Sequence, residues 1–149
     1  MKPPRDPYRT FRPTRGPIVA LAVGFACLIG FIALLVTVGS SPNWLLIDKL
    51  LSGAFLAVGL FLLWRQASVR AQPDDEGLTV RNFIRTTRLS WAQIISVRFG
   101  QGRPWAVLDL ANGTELAVMA IQRADGDAAM SEARRLATLI EEHDVTGSD

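Results

Sequence analysis

Residues 18–38 read IVALAVGFACLIGFIALLVTV, an unbroken run without a charge. At about 1.5 Å of rise per residue, such a run as a helix matches a hydrocarbon core of roughly 30 Å. A second apolar block, residues 44–64, follows after Gly39-Ser40-Ser41-Pro42-Asn43, a composition that makes a turn. Trp44 and Trp64 bound this block, as amphipathic rings do at headgroup level. Asp48 and Lys49 fall in its first turns, where their charged ends reach the interface. Two transmembrane helices are expected, 17–38 and 44–64, joined by a short extracytoplasmic loop at 39–43. A cleaved signal peptide fits poorly: its apolar core usually spans about 7 to 15 residues, and no Ala-x-Ala site follows this run.

Charge orients the hairpin. Residues 1–16 carry Lys2, Arg5, Arg9, Arg12 and Arg15 against Asp6, whereas residues 39–49 carry only Asp48 and Lys49. Arg65 and Arg70 follow the second block. Basic residues gather on the cytoplasmic side, so both termini are expected there, in a multi-pass protein of the cell membrane. The arm 1–16, with Pro3, Pro4, Pro7 and Pro13, is expected to be disordered and held along the anionic leaflet. Small residues recur at four-residue spacing: Ala22, Ala26 and Gly30 in the first helix, Gly53 and Ala57 in the second. They would let helices approach closely, either within the hairpin or between copies of the chain. Cys27 is the only cysteine and lies in the first apolar run, which leaves no disulfide framework and no cysteine metal cluster.

Beyond residue 70 the pattern changes. Pro73-Asp74-Asp75-Glu76-Gly77 reads as a loop, and Leu78-Thr79-Val80-Arg81-Asn82 alternates like a strand. Residues 85–91 are polar and rich in threonine and arginine, and Ser90 can cap a helical turn at Trp91-Ala92-Gln93-Ile94. Ile95, Val97 and Phe99 alternate with polar residues and are expected to face a core. Residues 105–110 and 114–121 are apolar runs joined through Asn112-Gly113, the preferred pair for a two-residue type I′ hairpin. That turn would pair Leu108 with Ala117 and Val107 with Val118. Both faces of such a hairpin are apolar, so both need cover. Asp125 and Asp127 then open an amphipathic helix whose apolar positions are Met130, Ala133, Leu136, Ala137 and Ile140. His143 sits at its frayed end without a companion ligand or base, and residues 144–149 read as a disordered tail. The fold class is therefore a two-helix transmembrane hairpin plus an α+β cytoplasmic domain, residues 71–143. That domain holds about five strands in a strongly bent antiparallel sheet, capped by a C-terminal helix.

The stretch EGLTVRNFIRTTRLSWAQIISVRFGQGRPWAVLDLANGTELAVMAIQ, residues 76–122, lies after the two apolar blocks and before the terminal helix. With its Glu76-Gly77-Leu78-Thr79-Val80 opening, Leu89-Ser90-Trp91 leading to Ile94, Arg98-Phe99-Gly100 and Leu116-Ala117-Val118, it resembles the short bacterial pleckstrin-homology-like (PH) domains. It is especially similar to the small membrane-anchored ones common in actinobacteria. The resemblance implies a bent antiparallel sheet capped by a helix, used as a docking or membrane-proximal module without catalysis. Lipid-binding eukaryotic relatives usually have seven strands and lysine-rich inositide sites. This domain is shorter and contains no lysine, a departure that speaks against phosphoinositide binding of that kind.

Between Gly77 and Leu108 stand Arg81, Arg85, Arg88, Arg98 and Arg103, with no acid among them. Arginine suits planar phosphate contacts, and a basic face tethered near an anionic leaflet gains about 1 kcal/mol per charge. These five are the candidate anionic-lipid or partner face. Trp91 and Trp105 read as core, and Asp109 and Glu115 merely flank the hairpin turn. The sequence contains no glycine-rich phosphate loop, no Cys/His metal spacing and no Ser-His-Asp set. The expectation is a non-enzymatic protein without cofactor, metal or nucleic-acid partner. It would serve as a docking or scaffolding module for an unidentified membrane-protein partner or a second copy of itself. The alternative is an anionic-lipid-sensing module that uses the arginine face.

Overall fold

The structure, a computed structural model, describes residues 6–100 and 102–146. The chain forms two compact units: a helical pair, Gly16–Ala67, and a sheet-rich domain built from Ser68 onward together with the arm through Arg15.

The helical pair comprises α1 (Arg15–Val38) and α2 (Leu46–Ala67), both long and apolar enough to cross a membrane. The Asp48 carboxylate accepts the Leu45 amide at 3.0 Å, and the Lys49 ammonium lies 5.9 Å from the centre of the Trp44 ring. Both charges thus serve the start of α2. The helices meet where Gly24 faces Leu60 and Leu63, and where Gly53 faces Phe31. Ala22, Ala26, Gly30 and Ala57 are exposed, so the first helix's stripe of small residues is not the packing face. An apolar groove of about 750 Å³, lined in part by Cys27, Gly30, Phe31 and Gly59, remains between the two helices.

The domain contains six strands, not about five, in two three-stranded antiparallel sheets. The first holds β1 (Arg70–Pro73), β2 (Gly77–Arg81) and β3 (Thr86–Ser90). The second holds β4 (Ile94–Arg98), β5 (Trp105–Leu110) and β6 (Glu115–Gln122). The strand missing from the sequence reading is β1. It shows only Ala71 and Pro73 to the core and ends in a proline, which an edge strand tolerates. The Ser90 turn forms as a short 3-10 helix, Trp91–Gln93, and carries β3 into β4.

Between the sheets, the Asn82 side chain stands in for a strand. Its amide donates to the Ala117 carbonyl at 2.7 Å, and its oxygen accepts the Met119 amide at 3.1 Å. At the start of β2, Gly77 lets two backbones pass: a Cβ there would lie 1.9 Å from the Leu89 carbonyl oxygen.

Four local expectations are corrected. The hairpin pairs Leu108 with Leu116 and Val107 with Ala117, one residue off the two-residue-loop register. Leu110 donates its amide to the Thr114 carbonyl, so the loop has three residues, and Gly113 alone (φ +79°) supplies the left-handed position. In β4 the register shifts between Ile94 and Ser96, which buries Ile94 and leaves Ile95 64% exposed. In the terminal helix, α3 (Asp127–Thr146), Ala129, Ala133, Leu136, Leu139 and Ile140 are buried while Met130 faces outward. The helix also runs through residues 144–146, expected as tail; residues 147–149 lie outside the described residues.

The largest correction concerns the arm. Phe11 is fully buried, and its amide and carbonyl exchange hydrogen bonds with those of Ala71, at 2.8 and 3.0 Å. Arg9 pairs with Glu132 at 2.8 Å, and the Asp125 carboxylate accepts the amides of Thr14 and Arg15. Prolines and arginines predict disorder, but one large apolar side chain in a closed core outweighs them. The other part of the expected disordered arm, residues 1–5, lies outside the described residues. The core joins Phe11 to Leu78, Val80, Leu89, Trp91, Leu108, Val118, Ile121 and the buried face of α3.

Candidate functional site

Strand alternation separates the five candidate arginines. On β2 and β3, Leu78, Val80 and Leu89 point into the core, so Thr79, Arg81, Thr86 and Arg88 line the outer face. Arg81 sits opposite Arg70 on one side and Thr86 on the other. The turn Asn82-Phe83-Ile84-Arg85, closed by the Asn82 amide on the Arg85 carbonyl at 2.8 Å, places Arg85 beside this rung. Arg98 and Arg103 belong to the other sheet and its β4–β5 loop. The five do not form one face.

Three of them are also neutralised. Arg88 meets Asp74 at 3.1 Å and Glu76 at 2.9 Å. Asp74 in turn accepts the amides of Glu76 and Gly77, and its carbonyl takes the Trp91 indole N–H at 2.9 Å. Partial desolvation pushes the Asp74 carboxyl up, but those two amides and Arg88 outweigh it and hold it below its ordinary value. On the second sheet, Arg98 donates through Nε to Asp109 at 2.8 Å and also pairs with Glu115, which Arg103 approaches at 3.5 Å. The Ser96 hydroxyl donates to Asp109 at 2.7 Å. Hydrogen bonds from Arg98 hold both Asp109 and Glu115 below the ordinary carboxylate range. Asp109 and Glu115, read from sequence as mere neighbours of a turn, are the counter-charges of this cluster.

What stays cationic is smaller and includes a residue the sequence reading left out. Arg70, Arg81 and Arg85 form no ion pair among the described residues. Arg70 precedes the acid-free stretch between Gly77 and Leu108; only the β1–β2 register brings it opposite Arg81. Two like charges on one rung are destabilising and call for an anion. The Nε of Arg70 is moreover buried without a hydrogen-bond partner among the described residues. Ile84, at the tip of the adjoining turn, is 79% exposed.

The aromatic residues serve the fold. Trp91 is buried and stacks on His143 with ring centres 4.5 Å apart; Trp105 is half-buried. His143 is thus not an idle residue at a frayed end. Its Nδ1 lies 2.8 Å from the Leu139 carbonyl, which can only accept, so the ring proton sits there. In the neutral ring Nε2 then accepts the Tyr8 hydroxyl at 3.2 Å and ties down the arm. Desolvation first, and then Asp75, push the Tyr8 hydroxyl above its ordinary value. Among the described residues, no group of three or more His, Cys, Asp or Glu is placed to hold a metal ion.

Residues 68–138 match the family model described as "Bacterial PH domain". Over 142 residues the chain is 32% identical to an uncharacterized protein of Mycobacterium tuberculosis, strain H37Rv. The match covers 92% of this chain and 91% of that one. An uncharacterized protein of Mycobacterium bovis matches with the same identity and coverage. No solved structure matches significantly.

Proposed function

The chain belongs to the bacterial PH domain family, and from that membership we propose that it is a non-enzymatic integral membrane protein. Its two apolar helices span the cell membrane as a hairpin, both termini are cytoplasmic, and the PH-like domain is a docking or scaffolding module at the inner face. The observation that carries this reading is the backbone pairing of Phe11 with Ala71. Residues before α1 and after α2 share one core, so any crossing made by α1 has to be reversed by α2. The hairpin is then a loop inserted into the domain. Excision after α1 would also remove Phe11 from the core, which favours an anchor over a cleaved signal. None of the apolar side chains of α2 is buried, unlike those of a core helix. The basic arm and Arg65 support a cytoplasmic position for the closed domain. Candidates for the docked partner are another membrane protein or a second copy of the chain.

Thiol accessibility in intact cells tests this. In a Cys27→Ser background, Ser41→Cys should react with a membrane-impermeant maleimide, whereas Gln72→Cys should react only after lysis. The chain should also resist carbonate extraction. Labelling of Gln72→Cys in intact cells, or release by carbonate, would sink the proposal.

A further inference from the structure

We propose that the Arg70–Arg81 rung and the turn that follows it, Asn82 to Arg85, form a wedge that enters the headgroup layer of the anionic leaflet. Arg70, Arg81 and Arg85 would bind lipid phosphates while Ile84 dips below them. The proposal rests on the membrane-anchored reading above and narrows it to one surface and one ligand, anionic phospholipid headgroups.

Four observations converge on this surface. First, the domain neutralises the other arginines between Gly77 and Leu108: Arg88 has Asp74 and Glu76, Arg98 has Asp109 and Glu115, and Arg103 approaches Glu115. Arg70, Arg81 and Arg85 receive no such acid among the described residues. Second, Arg70 and Arg81 stand directly opposite each other, a like-charge pair that an external anion relieves. The guanidinium groups can hold phosphate oxygens in pairs. Third, Ile84 is 79% exposed at the turn between Arg81 and Arg85. An apolar tip flanked by cations matches the order of chemistry across a leaflet, with charge at the phosphates and hydrocarbon beneath. Fourth, only Ser68 and Val69 separate the end of α2 at Ala67 from Arg70. In a chain whose α2 spans the bilayer, this two-residue connection tethers the Arg70 end of the rung close to the phosphates. A protein ligand is disfavoured because the surface is one rung and one turn, far smaller than a stable protein interface.

The test uses the full chain, because Phe11 makes the arm part of the domain core. In a Cys27→Ser background, Ile84→Cys carries an environment-sensitive fluorophore. The protein is reconstituted in vesicles of phosphatidylcholine alone, or of phosphatidylcholine with phosphatidylglycerol. The expected result is a blue shift and protection from an aqueous quencher only with phosphatidylglycerol. Each of Arg70→Gln, Arg81→Gln and Arg85→Gln should lower the inserted-to-aqueous ratio about fivefold, and high salt should lower it further. Arg134→Gln, on the exposed side of α3, removes the same charge and should leave the ratio unchanged. A probe at Ile95→Cys, exposed on the second sheet, should stay aqueous in both vesicles. An Ile84 probe that is aqueous in both lipids, or indifferent to the three arginines, overturns the wedge. If such protein still resists carbonate, the membrane anchor stands without it. A chain that carbonate strips from the vesicles overturns both.

Discussion

The guanidinium of Arg135 lies over the ring of Phe11, 3.7 Å from its centre, while its Nη1 donates to the carbonyls of Pro7 and Arg9. One side chain of α3 therefore clamps both the backbone and the aromatic anchor of the N-terminal arm. Glu132 completes the clamp by pairing with Arg9 and Arg135. The arm, the two sheets and α3 thus belong to one compact unit.

Phe11→Ala should cost about 3–5 kcal/mol, the usual loss for a fully buried aromatic, and should expose the arm to proteolysis. Arg135→Ala loses the cation–π contact and two carbonyl partners and should cost roughly 2 kcal/mol. Arg135→Lys should recover little of this, because a point charge cannot bridge two carbonyls and stack at once. Thermal melts of the detergent-solubilised chain read all three. A fragment beginning at residue 71 should fail to fold cooperatively.

Asn82→Ala should cost about 1–3 kcal/mol by orphaning the Ala117 carbonyl and the Met119 amide together. Hydrogen exchange at Met119 should rise well above that of Leu108, which stays in the β4–β5–β6 ladder. Equal protection at both sites would show that the Asn82 bridge is dispensable.

Gly77→Ala should be far more damaging than Gly53→Ala, although both replace a glycine. At Gly77 the added carbon meets the Leu89 carbonyl at 1.9 Å; at Gly53 it meets only the Phe31 ring edge at 3.9 Å. Expression and melting temperature of the two variants compare them directly.

Acid should loosen the second sheet. The carboxyls of Asp109 and Glu115 titrate below their ordinary values in the folded chain, because Arg98 donates to both. The unfolded state therefore binds protons first as pH falls. Their contribution is fully present above the ordinary carboxylate range, near pH 4, and is lost as pH drops through the lower folded values. Arg98→Gln should flatten this acid dependence, while Arg134→Gln should leave it intact. Unfolding midpoints from neutral pH down to about pH 3 measure it.

Much of this architecture is legible residue by residue. The uncharged run at 18–38 marks a helix of spanning length, and Ser90 and Gln93 mark the short turn before β4. Asn112-Gly113 marks the hairpin but not its register. The sequence does not say that Gly113 alone takes the left-handed position, and that choice shifts every pair by one. Ile94 and Ile95 are equally apolar; only the bulge decides which is buried.

The candidate surface was half legible. Arg81 and Arg85 were visible as cations without nearby acids, but so were Arg88, Arg98 and Arg103. The acids that neutralise those three lie outside the stretch between Gly77 and Leu108, at Asp74, Glu76, Asp109 and Glu115. Arg70, which completes the rung, read as the flank of a helix.

By itself, then, the sequence determined what local free energy controls: two apolar helices, the turns between strands, an amphipathic terminal helix and the alternation of the strands. Only the tertiary structure decided that a proline-rich arm ends in the core and which arginines keep their charge unpaired. Phe11 and Ala71 meet although both apolar helices lie between them in the sequence, and Arg88 and Arg98 reach acids on other strands or loops. Such contacts form only after long loops have closed, a cost met by the collapsing core as a whole and by no local signal.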